Sequence, residues 1–375
     1  MSLTGNIQER AGELGFDLVG IAHAEPSAYG GRYARWLENG YAGEMEYLRR
    51  DVSRRLDPGE LLPGVRSIVS VGLNYFSPDP VETHKMASPV GLISRYARGE
   101  DYHRVLNFKL SQLLAFIKRE ADQEVRSKVY VDTGPLLERE IANRAGLGWF
   151  GKNTNLINPE QGSWFFLGEI LLDLELVHDT LWPADHCGTC TRCLEVCPTK
   201  ALVVPYTLNA SRCISYLTIE LKGSIPQELR PFIGNWVFGC DLCQEVCPWN
   251  QRFARPTAEM ALRPREGLAA PELLSLLGIG EEEFRVKFRK SPIKRAKRRG
   301  LLRNVAVALG NSRDEAAIPA LRRALSDPEP LVRGHAAWAL GRIGGKRARR
   351  ALEEAFGREA DAEVRGEIWN ALKGL

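Results

Sequence analysis

Apolar residues recur along the first half of the chain with two different periodicities. Residues 68–73 and 128–131 are short runs rich in β-branched side chains, and they predict two buried strands. Residues 102–120 repeat apolar side chains at helical spacing, which predicts an amphipathic helix between those strands. We therefore expect residues 1–175 to form an α/β domain.

Every cysteine of the chain lies between residues 176 and 255, among proline, glycine and threonine residues. This composition is typical of a small, loop-rich module that folds around bound metal. We expect the segment to form a second domain.

The remaining residues, 256–375, are rich in alanine, leucine and arginine, and a short motif repeats within them. Ala-Leu-Gly at 308–310 and 339–341 and Ala-Leu at 371–372 recur about 31 residues apart. Asp327-Pro328, echoed by Asp361, gives each repeat a turn followed by a second helix. The pattern predicts a basic linker and then a HEAT-like helical solenoid, whose period is shorter than usual for HEAT repeats.

The composition is that of a folded globular protein. The chain has 375 residues, of which 44% are hydrophobic and 26% charged, so two or three domains are expected. The sequence contains neither an export signal nor a stretch of about 18 apolar residues that could span a membrane. We therefore expect a cytoplasmic protein without a membrane partner. Because the cytoplasm keeps thiols reduced, the eight cysteines are expected to bind metal.

The cysteines have the spacing of a bacterial ferredoxin. The first half is C-x2-C-x2-C-x3-C-P, a run whose fourth cysteine binds a second cluster: it comprises Cys187, Cys190, Cys193, Cys197 and Pro198. In the second half an insertion separates the first cysteine from the others, which are Cys213, Cys240, Cys243 and Cys247, followed by Pro248. If the ligands are exchanged between the two runs as in two-cluster ferredoxins, one [4Fe–4S] cluster is bound by Cys187, Cys190, Cys193 and Cys247. The other is bound by Cys197, Cys213, Cys240 and Cys243.

The alternative reading is a pair of structural zinc sites, because C-x2-C pairs also suit tetrahedral zinc. A zinc site requires neither the third cysteine of the first run nor a proline after each terminal cysteine, whereas a ferredoxin module contains both. Iron–sulfur clusters are therefore favoured over zinc. The sequence contains neither a phosphate-binding G-x-x-x-x-G-K-[ST] motif nor a clear G-x-G-x-x-G after a strand. Chemistry driven by nucleotide hydrolysis or by hydride transfer is not indicated.

Several longer blocks resemble the epoxyqueuosine reductase family. They cover nearly the whole chain in order: residues 55–58, 95–97, 131–139, 146–154, 162–170, 213–220, 239–243 and 247–250, and the helical-repeat tail. The resemblance implies an enzyme that uses base-off cobalamin and two [4Fe–4S] clusters to reduce epoxyqueuosine to queuosine at the tRNA wobble position. It also implies an unidentified low-potential electron donor and a monomer.

The resemblance makes Asp132 the proton donor for the departing epoxide oxygen. The alternative is that Asp132 only satisfies the turn before the helix that begins near Pro135. A helix N-terminus favours a carboxylate, whereas a general acid needs a pKa above the usual value of about 3.9. We therefore expect the cofactor and the substrate base to bury Asp132.

Further cobalamin contacts are implied by matching blocks, with ordinary packing or a surface charge as the alternative for each: Arg55, Tyr96, Asn153, Ser215 and Lys222. His103 stands in a partial D-x-H-x-x-G motif that ends in Leu106, so we interpret it as structural and not as a ligand of cobalt. The family is expected to leave cobalt without a protein ligand.

A basic run is the remaining candidate for binding. Ten of the nineteen residues from Arg285 to Arg303 are lysine or arginine, and none is acidic. Such a run is usually a solvated face, but beside a helical solenoid, in a chain that resembles a tRNA-modifying family, it predicts contacts to tRNA phosphates. The expected tRNA-binding residues are Lys294, Arg295, Lys297, Arg298, Arg299 and Arg303.

Two rival functions remain open at this point. A reductive dehalogenase-like corrinoid enzyme also combines cobalamin with two clusters, but such enzymes typically carry an export signal and use tyrosine as the acid. A non-catalytic iron–sulfur electron carrier would need only the cysteines and a protein partner for the solenoid. Binding of a corrinoid distinguishes the carrier from both enzymes.

Overall fold

The computed structural model describes residues 2–79, 89–181 and 185–375. Its strands are β1 Leu18–His23, β2 Ser67–Asn74, β3 Leu92–Ile93, β4 Ser127–Tyr130, β5 Trp149–Phe150, β6 Leu156–Ile157, β7 Phe165–Leu172, β8 Leu202–Val204, β9 Thr207–Leu208 and β10 Trp236–Phe238.

The helices of the amino-terminal half are α1 Leu3–Glu13, α2 Gly30–Glu38, α3 Val52–Leu56, α4 Tyr102–Glu120, α5 Glu138–Arg144, α6 Arg192–Val196 and α7 Ile214–Ile219. Those that follow are α8 Leu242–Glu245, α9 Pro248–Phe253, α10 Leu273–Leu277, α11 Glu281–Lys287, α12 Lys297–Ser312, α13 Ile318–Ala324, α14 Pro330–Ile343, α15 Gly345–Phe356 and α16 Ala362–Lys373.

The chain folds into two compact units, each built from segments that are discontinuous in sequence. The first unit comprises Met1–Ser77, Glu100–Ser211 and Leu242–Arg263, and the second comprises Pro78–Gly99, Arg212–Asp241 and Pro264–Leu375. The cysteine-rich segment contributes to both units. The division into segments 1–175, 176–255 and 256–375 stays a prediction.

An antiparallel sheet of order β1-β2-β7-β4 forms the centre of the first unit. Every residue of β2 is buried because helices cover both faces of the sheet. On one face Leu106 and Leu110 of α4 pack over Gly168, and on the other α5 packs against β1, where a Cβ on Gly20 would lie 2.0 Å from the carbonyl oxygen of Ala145. The expected α/β architecture is confirmed.

Three predicted elements of this unit are confirmed by the structure. The run 68–73 lies within β2, the run 128–131 overlaps β4, and the predicted helix 102–120 is α4. The β4 strand is only half-buried, because it is the edge strand of the sheet. Asp101 begins α4 as its N-cap, since its carboxylate accepts a hydrogen bond from the backbone N–H of His103.

Stacked helices dominate the second unit, together with the short parallel pair of β3 and β10. Helix α14 packs between α12 and α16, as the repeat predicts. Small residues allow this approach: a Cβ on Gly310 would lie 2.8 Å from the Cα of Ala339, and one on Gly341 would lie 2.8 Å from the Cβ of Ala371. The recurring glycine therefore marks the closest approach of successive helices. No helix among residues 2–79, 89–181 and 185–375 is long and apolar enough to cross a bilayer.

Candidate functional site

Asp132 lies directly after β4, in the short loop that leads to α5. Its backbone is left-handed, with φ of 58°, a conformation that is uncommon for residues other than glycine but that aspartate adopts more readily than most. The carboxylate of Glu138 accepts a hydrogen bond from the backbone N–H of Asp132 at 2.5 Å, which ties the strained residue to the first turn of α5. The Asp132 side chain is 61% exposed.

Two neighbouring residues of α4 face the Asp132 carboxylate. The hydroxyl of Tyr102 donates a hydrogen bond to Asp132 Oδ2 at 2.5 Å. The Nε2 atom of His103 lies 3.6 Å from the same oxygen, and the Nδ1 atom of His103 lies 2.7 Å from Asp101 Oδ1. Asp132 is therefore placed against an imidazole and a phenol, which are both groups that can carry a proton.

Two more carboxyl groups, those of Glu138 and Glu169, lie close to Asp132. Burial and the charge of Asp132 raise the pKa of Glu138 to about 8, and burial together with Glu138 raises the pKa of Glu169 well above its ordinary value. The register of the sheet explains this proximity, because Glu169 of β7 pairs with Tyr130, two residues before Asp132. The site therefore gathers carboxyl groups that favour their protonated forms near neutral pH.

Four cysteines of the first unit line one cavity. Cys187, Cys190, Cys193 and Cys247 contribute to the wall of a cavity of about 280 Å³. Burial and the neighbouring Cys187 and Cys190 thiols raise the pKa of Cys193 to about 11. Such a crowded set of thiols needs a cationic centre to become thiolate, and four sulfur donors are what a [4Fe–4S] cluster requires. The donor set fits the cluster predicted for these residues.

An aromatic wall backs this cavity. The rings of Trp149 and Trp249 meet edge to face at 4.9 Å, and Trp249 stacks on Phe253 at 5.6 Å. The Nζ of Lys152 donates a hydrogen bond to the carbonyl oxygen of Cys190 at 3.1 Å, which helps to hold the cysteine loop. Apolar surroundings of this kind limit the access of water to the cavity.

The second predicted set of cysteines is divided between the two units. Cys197 and Cys243 belong to the first unit, and Cys213 and Cys240 belong to the second. In the first unit the backbone N–H of Ala201 donates to the Cys197 sulfur at 3.2 Å. The ligand set of the second cluster stays a prediction.

The predicted cobalamin contacts are also divided. Arg55 and Asn153 lie with Asp132 in the first unit, whereas Tyr96, Ser215 and Lys222 lie in the second. One guanidinium nitrogen of Arg55 donates to the carbonyl oxygen of Tyr47 at 3.1 Å, but its Nε is buried without a hydrogen-bond partner among the described residues.

The unpaired Nε of Arg55 is consistent with a residue that donates a hydrogen bond to a bound cofactor. Asn153 is buried, and its amide donates to the carbonyl oxygen of Cys243 at 3.2 Å, so it lies at the wall of the cysteine cavity. In the second unit the Nζ of Lys222 donates to the carbonyl oxygens of Ile219 and Arg295, which places it beside the basic run. All these cobalamin contacts stay predictions.

The structure separates the basic run into exposed and internal residues. Lys294 and Lys297 are exposed, and Arg295 forms an ion pair with Glu220 at 2.9 Å while remaining 55% exposed. Arg299 is half-buried, and Arg298 is largely buried in an ion pair with Asp327 at 2.6 Å.

Arg303 lies inside the second unit and is only 1% exposed. Its guanidinium donates hydrogen bonds to the carbonyl oxygens of Leu217, Leu221 and Gly223. Its charge is directed into the protein, so Arg303 is not exposed for the predicted contact to tRNA.

Relatives of known identity match nearly the whole chain. An epoxyqueuosine reductase from Pseudomonas aeruginosa is 46% identical over 346 residues, which cover 91% of this chain and 95% of the relative. The enzyme of the same name from Escherichia coli strain K12 is 43% identical over 341 residues, covering 90% and 89% respectively. The chain belongs to the epoxyqueuosine reductase family.

Models of three families match this member of the epoxyqueuosine reductase family. They are described as epoxyqueuosine reductase QueG, DUF1730, over residues 55–133, a 4Fe-4S double cluster binding domain over 186–250, and HEAT repeats over 294–373. The predicted HEAT-like tail is thereby confirmed, and the match to the double cluster domain supports iron–sulfur clusters.

Solved structures of epoxyqueuosine reductases have the same fold. One, determined with an epoxyqueuosine-modified tRNA stem loop, is 37% identical with a TM-score of 0.93 and covers 100% of this chain and 98% of its own. Another, from Bacillus subtilis with the catalytic aspartate loop swung out of the active site, is 36% identical with a TM-score of 0.92, covering 100% and 99%.

Sequence reasoning missed three groups around Asp132 in this epoxyqueuosine reductase family member: Tyr102, Glu138 and Glu169. Glu169 carried a usable signal, because it is the one charged residue in the otherwise apolar run 165–172 and a charge inside a buried strand needs an explanation. Tyr102 carried none, since an aromatic residue at the start of an amphipathic helix is ordinary core.

Proposed function

We propose that this chain reduces epoxyqueuosine to queuosine at the wobble position of tRNA, using base-off cobalamin and two [4Fe–4S] clusters, with Asp132 as the proton donor. The observation that carries the proposal is membership of the family at 46% identity over almost the whole chain. The neighbouring structure that contains a modified tRNA stem loop supports tRNA as the substrate.

The arrangement around Asp132 supports its role as the acid. The reaction removes the epoxide oxygen as water, which takes two electrons and two protons. Tyr102 fixes Oδ2 of the carboxylate from one side, and Glu138 fixes the backbone N–H from the other. A group that is held but still exposed can reach a substrate oxygen without first breaking a buried contact.

Residues of the first unit would hold one cluster and would contact cobalamin. Arg55, with its orphaned Nε, would bind a polar group of cobalamin, and cobalamin supplies cobalt-centred reduction of the epoxide carbon when it is bound. The four cysteines of the cavity would hold one cluster, which supplies single electrons from a low-potential donor. We propose that the protein acts as a monomer in the cytoplasm.

The exposed part of the basic run would bind the tRNA backbone. Lys294 and Lys297 project into solvent, and Arg295 keeps more than half of its surface accessible although it is paired with Glu220. Phosphate contacts of this kind give affinity that falls steeply with salt. The wobble base would have to leave its stack to reach the reacting site.

A reconstitution experiment tests the proposed function. The protein is loaded anaerobically with iron, sulfide and cobalamin, and is then incubated with a low-potential reductant and tRNA that carries epoxyqueuosine. Mass spectrometry of the nucleosides is expected to show the loss of one oxygen from the modified base. Binding of cobalamin without any change in the tRNA would contradict the substrate. Failure to bind any corrinoid would contradict the chemistry and favour an electron carrier.

A further inference from the structure

We propose that His103 supplies the protons that Asp132 delivers, with Asp101 holding the imidazole in the orientation that this transfer requires. The inference rests on the proposed function, because it concerns the source of protons for the same reduction. It assigns a role to a histidine whose sequence context indicated only a structural one.

In His103 the Nδ1 atom is bound to Asp101, and the Nε2 atom is directed at Asp132. Asp101 Oδ1 lies 2.7 Å from Nδ1 and also accepts the backbone N–H of His103 at 3.1 Å, so the imidazole is held at the first turn of α4. Nε2 is buried and has no hydrogen-bond partner among the described residues, yet it lies 3.6 Å from Asp132 Oδ2. A movement of about half an ångström would close this gap to a hydrogen bond.

Aromatic packing keeps the imidazole in this orientation. The ring of Tyr102 stacks on that of His103 with centroids 4.1 Å apart, and on its other side it stacks on Phe166 at 4.1 Å with an interplanar angle of 6°. Phe166 belongs to the central strand β7, so the stack is anchored in the sheet. Nε2 therefore faces Asp132 because of the fold as well as because of Asp101.

The number of protons that the reduction consumes explains why a proton source beside Asp132 would be useful. Each reduction consumes two protons, whereas the Asp132 carboxyl group can hold only one at a time. In the structure the Asp132 side chain is 61% exposed, so the protein by itself does not bury it. A neighbouring group that stays protonated at neutral pH would remove the need for Asp132 to keep a raised pKa of its own.

His103 has the charge surroundings of such a group. Burial by itself would lower the pKa of His103, but the hydrogen bond to Asp101 and the negative charges of Asp101 and Asp132 raise it to about 9. Imidazolium is therefore the main form at neutral pH. The charged and titratable groups of the surrounding elements are Asp101, Tyr102 and Arg104 on α4, Asp132 in the loop after β4, Glu138 and Arg139 on α5, and Glu169 on β7.

The proton transfers balance without a further reactant. The Nε2–H bond of the imidazolium breaks as an O–H bond forms at Asp132 Oδ2, and that O–H bond then breaks as the proton passes to the epoxide oxygen. Nε2 itself is buried, but the imidazole side chain is 30% exposed, so a small displacement of the ring lets Nε2 regain its proton from solvent before the second transfer. The two electrons come from the low-potential one-electron donor of the proposed function, and none is taken from His103 or Asp132.

Single-turnover rates measured against pH test the inference. With the loaded wild-type enzyme, the rate of oxygen loss is expected to fall as the pH rises through about 9, the pKa of His103. His103→Gln is expected to lower the rate at neutral pH at least about tenfold and to abolish this alkaline limb. Asp101→Asn keeps an N-cap but removes a charge, and it is expected to move the limb about one unit toward lower pH.

Chemical rescue separates proton supply from a merely structural role. Added imidazole is expected to restore part of the rate of His103→Ala, while the visible spectrum of bound cobalamin stays that of the wild type. His23→Gln serves as the matched control, because His23 is an exposed histidine whose ring contacts that of His178. It is expected to leave both the rate and the pH profile unchanged.

The outcomes are distinguishable. Wild-type rate and an unchanged alkaline limb in His103→Gln would overturn the inference and leave the proposed function intact. An unmoved limb in Asp101→Asn together with no rescue by imidazole would overturn it as well. An inactive wild-type enzyme that binds cobalamin would overturn the proposed function itself and the inference with it.

Discussion

Replacing Arg303 by methionine should destabilise the second unit and leave the tRNA-binding surface unaltered. Arg303 is 1% exposed, and its guanidinium donates hydrogen bonds to the carbonyl oxygens of Leu217, Leu221 and Gly223 and to Asn304 Oδ1. Methionine fills much of the same volume but donates no hydrogen bond. The substitution therefore leaves three buried acceptors without this donor: the carbonyl oxygens of Leu217 and Leu221 and Asn304 Oδ1.

The magnitude follows from those three buried acceptors. Each buried acceptor that loses its donor costs about 1–3 kcal/mol, and removing the buried charge recovers part of the total. We expect a loss of about 3–5 kcal/mol in the free energy of unfolding. For a unit of this size each kcal/mol lowers Tm by roughly 2–4 °C, so the transition should move down by on the order of 10 °C.

Two measurements on one pair of variants test this reasoning. Thermal unfolding followed by circular dichroism gives the shift in Tm, and fluorescence anisotropy with an anticodon stem loop, well below the transition, gives the affinity for RNA. Lys297→Met is the matched control, because Lys297 belongs to the same basic run but is exposed. It should weaken RNA binding without lowering Tm. The reasoning is refuted if Arg303→Met melts like the wild type and binds the stem loop more weakly.

Four further outcomes are expected. Asp132→Asn should keep cobalamin, as its visible spectrum will show, but lower turnover at least about 100-fold; wild-type turnover would remove Asp132 as the acid. Cys193→Ala should lose about half of the iron measured after anaerobic reconstitution, and unchanged iron would contradict its ligand role. The double variant Lys294→Ala/Lys297→Ala should flatten the plot of log affinity for tRNA against log salt by about two units, and an unchanged slope would argue against phosphate contacts. Burial and nearby arginines lower the pKa of His335 well below its ordinary value of 6.5. Because unfolding returns this pKa to its ordinary value, the unfolded chain binds a proton that the folded chain does not, and Tm should fall as the pH drops below about 6.5. In His335→Gln this fall of Tm should be less steep.

The parts of the fold that depend on local pattern could be predicted from the sequence. The periodicity of residues 102–120 specifies α4, because helical spacing decides which of its side chains are buried. The β-branched run 68–73 specifies β2, because a short, continuous apolar run is typical of a strand that is buried on both faces. The spacing of the cysteines indicated the cluster module for a similar reason. Metal ligation constrains positions that are close in sequence.

The parts that depend on long-range register could not be predicted in this way. Glu169 reaches the neighbourhood of Asp132 only because β7 pairs with β4 in one register, which places it opposite Tyr130. A slip of one residue would direct Glu169 to the other face of the sheet. The exposure of residues in the basic run could not be predicted either, because composition does not reveal that Arg303 points into the protein while Lys294 points out of it.

The surroundings of Asp132 bear on how a single carboxyl group can serve as an acid. Its side chain is 61% exposed, so the protein by itself does not bury the carboxyl group in this structure. The neighbours have the opposite character: Glu138 with a pKa of about 8 and His103 with a pKa of about 9 both hold protons at neutral pH. A site arranged in this way keeps its protons next to the reacting group instead of on it. The carboxylate can then act repeatedly within one turnover, which is what a reaction that forms water requires.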